Sequence, residues 1–74
     1  MSTALSVLEQ RLFDALHARG EVETRPLIQA VWPDGHHDLH DLHAVISRSR
    51  AKLAMGRWRI VLAPGGYAYR LDDV

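Results

Sequence analysis

The 74 residues predict a single α+β domain over 1–74, with a three-helix core followed by a C-terminal β-hairpin. Three observations predict it. Apolar residues recur at spacings of three and four in three segments, the period of amphipathic helices. Two later segments alternate apolar and polar residues around Ala63-Pro64-Gly65-Gly66, the pattern of half-buried strands joined by a turn. Hydrophobic residues make up 47% of the chain, enough for a packed core, and with no cysteine that core must form without disulfides or a thiolate metal site.

The first helix is expected over about 6–19. Leu5, Leu8, Leu12, Phe13, Ala15 and Leu16 make one apolar face. Ser6 with Glu9 three residues later is a capping-box pattern, and Gly20 is placed to end the helix. Glu21-Val22-Glu23 alternates and suits a brief strand at the margin of a small sheet. A second helix is expected over about 25–32. Thr24 reads as its N-cap, Pro26 lies in its first turn, and Leu27, Ile28, Ala30, Val31 and Trp32 form its apolar side. Pro33-Asp34-Gly35 is a turn.

The third helix is expected over about 38–54, with Asp38 as N-cap and Asp41 in the first turn. Leu39, Leu42, Val45, Ile46 and Leu53 define its buried stripe, which Ser49 interrupts. The hairpin is expected over about 58–71. Trp58, Ile60 and Leu62 should face one way on its first strand, and Tyr67, Tyr69 and Leu71 one way on its second. Helix, short strand, helix, turn, helix, hairpin is the layout of a winged helix-turn-helix, whose third helix enters a major groove.

Several segments carry a family resemblance in order. Leu8-Glu9-x-x-Leu12-Phe13-x-x-Leu16, Leu27-Ile28-x-x-Val31-Trp32, Ile46-Ser47-Arg48-x-Arg50-x-Lys52-Leu53 and Gly66-Tyr67-x-Tyr69-Arg70-Leu71 span roughly residues 5–71. Together they resemble the winged-helix output domain of OmpR-like response regulators. The resemblance implies a DNA-binding transcriptional regulator. The sequence departs from that family at two places. His40-Asp41 stands where the recognition helix usually begins with a phosphate-binding arginine, and Ala63-Pro64 stands where the wing usually carries one.

Charge refines the expectation. Net charge is zero, which disfavours indiscriminate nucleic-acid binding. Residues 1–41 hold seven carboxylates against three arginines, whereas residues 42–74 hold five arginines and one lysine against two aspartates. The basic half can meet a polyanion. On the third helix, Arg48 and Lys52 lie four apart and share a face. His40, His43, Ala44 and Ser47 are the accompanying candidates for an exposed, base-reading side. Arg57, Arg59 and Gly65 of the hairpin are the candidates for backbone contact. The expected partner is therefore double-stranded DNA, bound as a homodimer or at tandem sites because one such module buries little surface. The rival expectation is a winged-helix module that binds a protein of the transcription machinery, favoured by the neutral net charge and the missing wing arginine.

Four histidines crowd positions 36–43. His36, His40 and His43 have spacings that let imidazoles share a metal, but a closed site needs four ligands and no cysteine is at hand, so they read as surface groups. Their protonation below about pH 6.5 would add positive charge beside the DNA face and tighten binding. No nucleophile elbow, phosphate-cradling glycine loop or HExxH pattern occurs, so no enzyme and no cofactor are expected. No apolar run approaches the roughly 18 residues of a membrane span. The start, Met1-Ser2-Thr3-Ala4, has no basic leader region. A soluble, cytoplasmic protein is expected.

Overall fold

The computed structural model describes residues 4–73, so the outermost limits of the expected domain, residues 1–3 and 74, lie outside the described residues. The chain runs α1 (Val7–Arg19), β1 (Glu21–Glu23), α2 (Thr24–Val31), α3 (Leu39–Leu53), β2 (Trp58–Leu62) and β3 (Ala68–Asp73). It forms a small α+β domain in which three helices pack on one antiparallel sheet of order β1-β3-β2. Among the described residues, no helix is long and apolar enough to cross a membrane.

Local chemistry sets most boundaries. The Ser6 hydroxyl accepts from the Glu9 N–H, and the Glu9 carboxylate accepts from the Ser6 N–H, which closes a capping box on α1. Gly20 ends α1 with φ 82°, a backbone that a side chain would strain. Asp38 and Asp41 repeat the reciprocal box on α3. At α2 the structure corrects the expectation by one residue, since Thr24 is already helical and Glu23 is the N-cap, without a side-chain cap. The cause is the sheet. The Thr24 N–H donates to the Tyr67 carbonyl at 2.9 Å, continuing the pairing of β1 with β3, so strand passes directly into helix.

Leu12 and Leu16 of α1, Val22 of β1, Leu27 and Val31 of α2, Leu42, Val45 and Ile46 of α3, and Ile60 and Tyr69 of the sheet form one core. Trp32 is also buried there, and the Arg11 guanidinium donates to the Val31 carbonyl at 3.0 Å, tying α1 to the end of α2. The hairpin turns at Pro64-Gly65, where Gly65 has φ 97° and the Gly66 N–H donates to the Ala63 carbonyl. The expected alternation holds at Ile60 and Tyr69 and fails at the hairpin's outer end. Leu62 is 47% and Tyr67 78% exposed. Tyr67 belongs to the turn, because β3 starts only at Ala68. Trp58 is half-buried and packs edge-on to Phe13 and His17 of α1.

Candidate functional site

Helix α3 buries Leu42, Val45, Ile46 and Ser49, and its opposite side is open to solvent. At 100° per residue, His40, Ala44, Ser47 and Ala51 fall along the centre of the open side, with His43 beside them. All five are exposed. Arg48 and Arg50 border this strip on opposite flanks, and their partners show the direction each takes. Arg48 leans toward α1, with Nε 3.7 Å from Glu9 Oε2. Arg50 leans toward the sheet, where Nε donates to the Ile60 carbonyl at 3.2 Å and the guanidinium lies 6.0 Å from the Tyr69 ring centroid. The strip is thus short in side chain, neutral along its centre and cationic on both margins.

Lys52 sits differently from its sequence expectation. It shares a face with Arg48, but that face turns toward α1. Its Nζ lies 2.6 Å from Glu9 Oε1 and donates to the Ala4 carbonyl at 3.3 Å. Glu9 is 2% exposed, so its carboxylate is a buried anion held by one lysine, the nearby Arg48 and the Ser6 N–H. Burial pushes the Glu9 carboxyl up. The hydrogen bond from Lys52, the bonds from Ser6 and the lysine's charge outweigh it, and the carboxyl titrates below its ordinary value. Lys52 is thereby turned toward α1 at a half-buried position, and the outward cations of α3 are Arg48 and Arg50. Sequence reasoning placed Arg50 within the family-like segment of the helix and did not give it a place on this face. Position 9 did carry a signal, since it lies within the Leu5, Leu8, Leu12, Leu16 stripe, where a carboxylate must find a partner.

The hairpin cations divide in the same way. Arg57 makes a two-pronged pair with Asp73, at 3.2 and 2.6 Å, and its guanidinium lies 5.5 Å from the Trp58 ring centroid. That pairing lowers the Asp73 carboxyl below its usual range. Arg59 is exposed opposite Asp72, whose carboxylate is taken by Arg70 at 3.1 Å. Arg59 itself has no ion pair among the described residues. Gly65 lies exposed at the tip of the turn.

Among the described residues, no three His, Cys, Asp or Glu side chains converge on a point that could hold an ion. His36 precedes the start of α3, so the helical spacing that would bring it beside His40 does not exist. His37 is the histidine in use. It stacks on Trp32 at 4.4 Å and 15°, and its Nδ1 lies 3.2 Å from Asp41 Oδ2. The Asp38 N–H, followed by His37, holds the Asp41 carboxyl below its ordinary value. The two acids at the start of α3 are therefore engaged in capping. No known family and no curated protein matches the chain.

Proposed function

We propose that the protein is a small DNA-binding transcriptional regulator with a winged helix-turn-helix domain similar to the output domain of OmpR-like response regulators. It acts in the cytoplasm, without a cofactor and without catalysing a reaction. Helix α3 lies in the major groove, and the β2–β3 hairpin is the wing that rests on the sugar-phosphate backbone. One observation carries this reading, the open strip of His40, Ala44, Ser47 and Ala51 between Arg48 and Arg50. A groove about 12 Å wide admits a helix whose central side chains are small, and arginines at its margins reach guanine edges or phosphates. Arg59 adds a cation from the wing, and useful specificity comes from a dimer or from tandem sites.

A second reading, a protein-interaction module of the same architecture, draws support from Lys52 and Arg57, which spend their charge on Glu9 and Asp73. Salt dependence separates the two. With Arg48, Arg50 and Arg59 as the cations offered to DNA, log affinity for duplex DNA should fall with log salt at a slope of about −2.7, or about 40-fold between 50 and 200 mM. Arg48→Ala should lower that slope by about 1. Duplex binding that is weak at 50 mM and insensitive to salt rejects the DNA reading.

A further inference from the structure

Strand β2 is an edge of the sheet, and its free side opens into a groove of about 500 Å³ between β2 and the end of α3. The Ala63 N–H donates to the Ala68 carbonyl at 2.8 Å, so bonded pairs recur at Val61–Arg70 and Arg59–Asp72. The main-chain groups of Trp58, Ile60 and Leu62 therefore point away from β3 into the groove. Among the described residues, only the Ile60 carbonyl has a partner there, and that partner is the Arg50 guanidinium. Ile60, Val61 and Leu62 form one wall and Ala54 stands across from them, while Arg50 and Arg59 supply the charge and no carboxylate lines the space.

We propose that this edge is a strand-addition site for an extended acidic segment of a partner protein. The proposal goes beyond DNA binding and does not need it. Exposed main-chain donors and acceptors recognise another main chain, which fixes the bound form as a strand. Two arginines without a carboxylate between them select acidic side chains, which draw Arg50 from the Ile60 carbonyl and free that carbonyl for the incoming N–H. A second copy pairing β2 to β2 would set Arg50 and Arg59 against their own kind, so like charges oppose it. Left empty, an uncovered edge invites non-specific pairing, and the Arg50 bridge blunts it.

The test uses a synthetic peptide of alternating glutamate and valine, with an alternating lysine and valine peptide as control, added to isotope-labelled protein and followed by amide NMR. The expected result is saturable shifts at Trp58, Ile60 and Leu62, with new exchange protection at the Ile60 and Leu62 amides, from the acidic peptide only. Arg50→Glu should weaken the binding at least tenfold. The exposed Arg59→Glu, which leaves the Ile60 bridge intact, should weaken it severalfold and covers the case of a misfolded Arg50 variant. Equal binding of both peptides, or shifts away from β2, overturns the proposal. So does self-association through β2 without peptide, or a duplex oligonucleotide that protects the Ile60 and Leu62 amides where the acidic peptide does not.

Discussion

Removing the Glu9 carboxylate should cost this domain a large share of its stability. Glu9 is 2% exposed, and it serves both as the reciprocal arm of the α1 capping box and as the counter-ion of Lys52. Breaking a fully buried pair from one side costs about 3–5 kcal/mol. The Lys52 side chain is 35% exposed, and water screens what is left behind, which reduces that part to about 1–2 kcal/mol. Losing the bond to the Ser6 N–H adds about 1 kcal/mol. Glu9→Ala should therefore lose about 2–3 kcal/mol, and Glu9→Gln, which keeps an acceptor for Ser6, about 1–2 kcal/mol. A domain of this size holds about 4–11 kcal/mol in all. The alanine variant should melt about 10–20 °C lower. Urea unfolding followed by circular dichroism measures the loss, and the glutamine cost should shrink in a Lys52→Met background if the pair is its source. A Glu9→Ala variant within 0.5 kcal/mol of the parent, or a glutamine cost that ignores the state of residue 52, refutes the reasoning.

Other outcomes follow from the same structure. Among the described residues the buried Ser49 hydroxyl has no hydrogen-bond partner, so Ser49→Ala should raise stability by about 1 kcal/mol in the same urea assay. Glu9, Asp41 and Asp73 all titrate below their ordinary values in the fold. The unfolded chain then takes up protons first, so their contribution is complete above the usual carboxylate range and is lost as pH falls through the lowered values, below about pH 4. An acid titration of the melting temperature should show this decline, made shallower by Glu9→Gln.

The elements were legible where their signals are local. Ser6 with Glu9 and Asp38 with Asp41 announce helix starts within four residues, and the Leu12, Leu16, Leu42 and Ile46 periodicity marks the buried faces. Glu21-Val22-Glu23 proved to be a strand because its alternation exposes the two acids and buries Val22. The start of α2 was displaced because the Tyr67 carbonyl, far along the chain, decides where β1 ends. The candidate site was legible in part. His40, His43, Ala44, Ser47 and Arg48 are exposed on one side of α3, as helical geometry requires. The role of Lys52 was not legible, because its partner lies 43 residues away and helical spacing says nothing about which neighbour a shared face meets. The use of Arg50 depends on the docking of β2 beside α3, which periodicity within either element does not reveal. The His37 stack on Trp32 likewise arises from the path of the connecting turn.

The centre of the open strip offers the most direct test of DNA docking. Ser47 is exposed on α3, so Ser47→Glu adds a charge there without disturbing the core. Duplex binding by fluorescence anisotropy at low salt, with the melting temperature measured alongside, should show affinity falling at least tenfold while the fold melts within a degree or two of the parent. Unchanged duplex affinity in a folded Ser47→Glu protein would contradict the docking of α3 on DNA.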